Sequence, residues 1–209
     1  MSSSINSLTK DEISLRLNKY LNDDSAKHDF NPRFPEEFFE GYPRSAAVLV
    51  PMLKKAHKWH ILFTRRTASL PEHSGQVAFP GGQADPEDNS PEETALREAQ
   101  EEISLNPGDV QILGRLKELR TISNYCVMPV VGYIPWPYEF HLAREEVSRV
   151  FTIPLEWLAD LKNYEIRNRE LPSPYPAVPV IYFDHYDGEL LWGISAEITM
   201  NFLKSLQLV

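Results

Sequence analysis

The stretch SPEETALREAQEEISL, Ser90 to Leu105, opens with strong helix-start chemistry. Ser90 is the N-cap, Pro91 takes the first helical position, where its missing N–H costs nothing, and Glu93 completes a capping box. At about 100° per residue, Ala95, Leu96, Ala99 and Ile103 form one apolar stripe. Glu98, Glu101 and Glu102 fall on a separate wedge roughly 120° away by the same geometry. Carboxylates three and four positions apart on a helix repel, by roughly 0.2–0.5 kcal/mol per pair. A solvated acidic face is the plain explanation, since glutamate is a good helix former. The neighbourhood argues against it. Gly81 and Gly82 lie just upstream in FPGG, Phe79 to Gly82, and adjacent glycines let backbone approach other groups closely. Carboxylates and a backbone carbonyl make the all-oxygen set that Mg²⁺ or Mn²⁺ prefers, and a dication relieves the repulsion between the acids. Arg97 borders the wedge, one turn from both Glu93 and Glu101.

Around this helix the chain alternates strands and helices without a regular repeat. Thr9 to Glu12 is a capping box, and Ile13, Leu17, Tyr20 and Leu21 follow at helical spacing, so a helix runs to about Leu21. The polar stretch Asn22 to Arg44 connects it to the rest as an ordered loop. Ala46–Leu53 and Trp59–Arg65 read as a hairpin across a basic Lys54–Lys58 loop, and Gln76–Phe79 as a short third strand. Val110–Lys117, Val127–Ile134 and Glu146–Ile153 are further strands. Leu155–Leu161 is a short helix started by Pro154. Pro172, Pro174, Pro176 and Pro179 mark an irregular segment before a strand at Val180–Asp184, and a helix over Ile194–Leu206 closes the chain. This order favours an α+β or layered α/β/α domain over a doubly wound sheet. The expected division is residues 1–44 as N-terminal helix and connector, and 45–209 as the main domain.

Composition narrows the function classes. A hydrophobic share of 42% fits a globular protein, and a net charge of −9 disfavours nucleic acid or an anionic membrane as partner. A phosphorylated small molecule stays open, because a bound dication inverts the local charge. The single cysteine, Cys126, the unbasic start MSSSINSLTKDE and apolar runs far short of the ~20 residues of a membrane helix point to a cytoplasmic protein. A homodimer is left open.

The run from Gly82 through Asp88 to Arg97-Glu98, Glu101-Glu102 and Leu105 resembles the Nudix box, a glycine, a spaced glutamate, then Arg-Glu-apolar-x-Glu-Glu-x-Gly-apolar. LFTRRTASLPEHSGQVAFPGG, Leu62 to Gly82, resembles the extended signature of the coenzyme A pyrophosphatase branch of that superfamily. Val127–Pro135, Glu145–Leu155 and Leu191–Ala196 are similar to the same branch. The likeness runs from about Ser45 to the C-terminus. Three positions depart from it: Asp88 replaces the box glutamate with one extra residue before Arg97, Ser104 replaces a glycine, and Pro71 stands where the branch often has a basic residue. Serine in place of glycine predicts a different helix exit, with Asn106-Pro107-Gly108 making the turn.

The resemblance implies an α+β fold, an α/β/α sandwich with a mixed central sheet, and hydrolysis of a nucleoside diphosphate derivative, with divalent metal activating the attacking water. It assigns Glu98, Glu102 and the Gly81 carbonyl to metal, with Glu101 holding a further ion, and Arg97 to orienting a box carboxylate. Glu145, Glu146 and His73 are alternatives for the general base, with Glu146 preferred. Arg65, His73, Gln76 and Gly82 are the candidate substrate contacts, and Arg66 would face the other side of its strand. Tyr182, Phe183 and Trp192 are either pocket walls or core. The implied substrate is coenzyme A or an acyl derivative. ADP-ribose, NADH and nucleoside triphosphates are the enzymatic alternatives. A silent binding module of the same fold would have lost box acids, and here they are all present.

Overall fold

The structure is a computed structural model that describes residues 5–23, 39, 41–68, 74–171, 173 and 175–209. Most of the Asn22–Arg44 connector, Pro71 and His73, and Pro172 and Pro174 lie outside the described residues. Its elements are α1 (Lys10–Leu21), β1 (Arg44–Lys55), β2 (Lys58–Arg66), β3 (Val77–Ala78), β4 (Gly81–Gln83), α2 (Pro91–Ile103), β5 (Gln111–Arg115), β6 (Leu119–Arg120), β7 (Tyr125–Tyr133), β8 (Val147–Pro154), α3 (Leu155–Leu158), β9 (Tyr164–Arg169), β10 (Val178–Phe183) and α4 (Gly193–Ser205). Among the described residues, β1 to β8 form one mixed sheet and β9 with β10 a separate antiparallel pair.

β1 is the centre of the sheet. It runs parallel to β7 from Arg44↔Tyr125 to Met52↔Tyr133. Its other edge is shared, antiparallel to β4 over Ala46–Val48 and to β2 over Met52–Lys55. Pro51 lies where the partner changes, so its missing N–H costs no bond to either strand. Along β1, Ala47, Leu49 and Leu53 face α2, while Val50 and Met52 face α1 and α4. Burial on both faces explains the nearly unbroken apolar run AAVLVPML. The result is the predicted layering, with α2 on one face and α1 with α4 on the other.

Two sequence expectations need correction here. The hairpin between β1 and β2 has no five-residue loop: the strands pair as far as Lys55↔Lys58, and the turn is only Ala56 and His57, at φ 48° and 63°. Left-handed φ at both positions is the tight hairpin geometry that glycine or asparagine usually signals, so the sequence hid it. On α2, Thr94 rather than Leu96 joins the fully buried set with Ala95, Ala99 and Ile103. β4, β6 and β9 were not anticipated. β9 reads YEIRNR, exposed apart from Tyr164, so it carries almost no apolar pattern.

The N-terminal helix starts where its capping box puts it: Thr9 accepts the Glu12 N–H and its own N–H donates to the Glu12 carboxylate at 2.8 Å. Ile13 and Leu17 have no exposed surface and belong to the same core cluster as Val131, Phe63 and Phe202. Gly114 on β5 makes room for Leu17, since a Cβ there would come within 3.1 Å of it. Leu17→Ala should therefore cost about 2–5 kcal/mol, the range for truncating a buried leucine. Urea unfolding would measure it, and a loss below about 0.5 kcal/mol, typical of surface substitutions, would show that the helix is not part of the core.

Candidate active site

The acids sit where α2 crosses β4. At its N-terminus Ser90 caps as expected, accepting the Glu93 N–H at 3.2 Å. The expected reciprocal bond is not made: the Glu93 carboxylate takes the N–H and the side-chain amide of Asn89 instead, at 2.8 and 2.9 Å. At the other end Ser104 itself adopts the left-handed conformation, φ 54° and ψ 35°, and its N–H reaches the Gln100 carbonyl. Serine thus takes the glycine-like exit it was expected to avoid, and Asn106 only caps the short 3₁₀ turn Pro107–Asp109 that follows. The released carbonyl of Glu102 accepts the Ala143 N–H at 2.9 Å, which ties the loop before β8 to the end of the acid helix.

Gly82 is fixed by contact. A Cβ there would fall 2.6 Å from the Glu98 carboxylate, and one on Gly81 would fall 2.4 Å from the Ala47 carbonyl. The Leu49 N–H to Pro80 carbonyl and Ala84 N–H to Ser45 carbonyl bonds fix the phase of the β1–β4 ladder. In that phase Gly81 is a non-bonded pair with Val48, so its N–H and carbonyl point away from β1. The Gly81 amide faces the Glu102 carboxyl.

Glu102 is 4% exposed, and its Oε2 has no hydrogen-bond partner among the described residues. Burial, against the attraction of Arg66 and with the added repulsion of Glu98 and Glu146, pushes its pKa up to about 8. Glu98 is raised in the same sense, chiefly by burial, although the Arg97 guanidinium opposes the rise. Glu101 is largely exposed. Glu146 is brought to the acids, since its charge acts on both Glu98 and Glu102. Thr67 holds the backbone beneath it: the Thr67 N–H donates to the Glu146 carbonyl at 2.9 Å and its hydroxyl to the Glu145 carbonyl at 3.0 Å.

Arg97 is consumed by the protein. It donates to Asp88 through Nε and Nη2, to Glu98 at 2.8 Å, to Glu101 at 3.3 Å and to the Gln83 carbonyl at 3.0 Å. Asp88 also accepts from the Thr94 hydroxyl and the Asp85 N–H, both at 2.9 Å. The Arg97 guanidinium and these bonds hold the Asp88 pKa down to about 2. The shorter aspartate therefore closes the same loop onto the helix.

Of the candidate substrate contacts, Gly82 is at the acids and Gln76 pairs through its carbonyl with the Arg66 N–H. Arg65 is not: it points to the opposite face and reaches Glu189 at 3.4 Å. Arg66, set aside in the sequence reading, acts on Glu102 and keeps a buried Nε without a partner among the described residues. A register shift in the β2–β8 ladder falls between these two residues. His73 lies outside the described residues. Tyr182 and Trp192 stack on each other with ring centroids 5.4 Å apart, and Phe183 is core.

The donor set suits a dication that keeps open positions. Among the described residues no three His, Cys, Asp or Glu side chains are grouped so as to hold a metal ion by themselves. Magnesium typically takes only one or two carboxylates, with substrate phosphates and water completing its shell. An orphaned buried carboxylate oxygen beside a second carboxylate and an outward-facing carbonyl fits that description. A carboxyl whose pKa is raised by folding contributes stability that is complete below its unfolded value, near 4.5, and lost as pH rises through about 8. In EDTA, Glu102→Gln should then gain on the order of 1–3 kcal/mol over the parent at about pH 9, with no gain near pH 4.5. Unfolding curves across pH would read this, and a gain independent of pH would refute the assignment.

A family model described as the NUDIX domain matches residues 43–172. A Photorhabdus laumondii protein described as an uncharacterized Nudix hydrolase NudL is 40% identical over 164 residues, 78% of this chain and 86% of that one. A Yersinia pestis protein of the same description is 37% identical over 171 residues, 82% of this chain and 84% of that one. A crystal structure of a C. elegans Ap4A hydrolase binary complex has TM-score 0.46 and 26% identity, covering 53% of this chain and 80% of its own. With a family match spanning more than half its length, and relatives this similar along most of theirs, the chain belongs to the Nudix hydrolases.

Proposed function

We propose that the chain hydrolyses the pyrophosphate bond of coenzyme A or its acyl derivatives, giving 3′,5′-ADP and 4′-phosphopantetheine or its acyl form. The observation that carries the reaction class is Glu102, buried with an unpartnered oxygen beside Glu98 and over the Gly81–Gly82 backbone. The substrate rests on the likeness of Leu62–Gly82 to the coenzyme A pyrophosphatase signature.

In this reading Glu98, Glu102 and the Gly81 carbonyl hold Mg²⁺ or Mn²⁺, and the exposed Glu101 serves a further ion on the solvent side. Such ions neutralise the pyrophosphate, make water a better nucleophile and stabilise the leaving phosphate. Arg97 keeps Glu98 in place and closes the 83–88 loop, so it orients a ligand without touching substrate. Arg66 offers its Nε–H, unpartnered among the described residues, to a phosphate oxygen, where an arginine fork is well matched. Glu146 accepts the proton from the attacking water. The Thr67 bonds fix the turn that carries it, and the exposed loop allows substrate to approach.

Purified protein with Mg²⁺ or Mn²⁺, given coenzyme A, acyl-coenzyme A, ADP-ribose, NADH and nucleotides, should release 3′,5′-ADP from the first two at the highest kcat/KM, and EDTA should abolish turnover. No hydrolysis of any of them would sink the enzyme reading, and preference for ADP-ribose would remove the substrate. Glu146→Gln should lower kcat by about 10²–10⁴, the usual worth of a general base. Near-normal kcat would place the base elsewhere.

A further inference from the structure

β8 is the edge of the main sheet, paired with β2 and with no strand on its outer side among the described residues. A groove of about 790 Å³ runs along that edge. It falls within the ~300–1,000 Å³ of small-molecule sites. Its walls combine aromatic rings, Trp136, Phe140 and Tyr186, with the cations Lys55, Arg144 and Arg149. In a chain of net charge −9 this concentration of positive charge is unusual. The acid in the lining, Asp187, is already paired with Arg149. Arg144 only reaches the Ser148 carbonyl at 3.4 Å, and Lys55 lies over the Trp136 ring at 5.6 Å, so neither is neutralised by a carboxylate among the described residues.

The groove adjoins the site. Arg144 belongs to the same turn as Glu146, closed by the Glu146 N–H to Ala143 carbonyl bond at 2.9 Å. We infer that this groove binds the nucleoside end of the substrate, an aromatic base bearing a phosphomonoester outside the bond that is cut. The inference rests on the pyrophosphatase reading above. Rings give a base stacking surfaces, and the two uncompensated cations give an anion its partners. A second copy of this chain is disfavoured as occupant, because pairing two such edges would bring their cations together.

The test is calorimetric binding to the full chain in EDTA, where no turnover intrudes, with adenosine 3′,5′-bisphosphate and AMP as probes. The bisphosphate should bind at least about tenfold more tightly, the scale of a charge-assisted contact. The double variant Lys55→Gln, Arg144→Gln should lose that preference. Equal affinity in the parent, or a preference that survives in the double variant, would overturn the proposal. So would sedimentation showing a dimer that the double variant dissolves, since the edge would then belong to a second copy. Preference without coenzyme A hydrolysis would remove the substrate proposed above and leave the groove, and hydrolysis without preference would remove the groove alone.

Discussion

The site depends on one clearance, the approach of the Glu98 carboxylate to the place where Gly82 lacks a side chain. It exists because β1 and β2 splay. β1 gives its first half to β4 and its second to β2, with Pro51 at the change. Any side chain on Gly82 would push α2 off the sheet or the carboxylate out of the site. Because the same helix buries Ala95, Ala99 and Ile103 in the core, it cannot retreat without unpacking that face. Packing and acid placement are therefore one problem with one solution.

Electrostatics works against the fold at this point. Among the box acids, Glu98 and Glu101 share Arg97, which spends the rest of its hydrogen bonds on the 83–88 loop. Glu102 receives no such partner and is buried nonetheless. A buried polar oxygen without a bond costs free energy, and a fold optimised for stability alone would not keep one. Strain of this kind is what a ligand can relieve on arrival. Glu197 on α4 shows the same signature, buried with an Oε1 unpartnered among the described residues and a pKa raised to about 8 by burial.

The main architecture was legible because periodicity reports burial. α1, α2 and α4, the long strands and the mixed order all follow from spacing and caps in the sequence. What escaped had no such signal. β9 is exposed, β6 is two residues long, and the left-handed Ala56, His57 and Ser104 carry side chains that disfavour their own conformation. At the site, the glutamates and glycines could be read from helical geometry and resemblance. Arg65 and Arg66 could not be ranked, because strand alternation says which residues share a face and not which face receives the helix. Only the packed core, with Leu62 toward α2 and Phe63 away from it, settles that.

The parallel pairing of β1 with β7 also has a kinetic consequence. Arg44 lies beside Tyr125, about 80 residues further along the chain, with the β1–β2 hairpin and the whole acid helix between them. Contacts so remote in sequence close late, because the loop entropy must be overcome before the contact rewards it. The hairpin and α2 can form from local contacts, but β7 supplies Val130 to the core beneath the helix. A chain emerging from synthesis would carry its acid helix half-covered until residue 133 had followed. The same ordering makes the stretch up to β7 the segment most in need of protection from premature association.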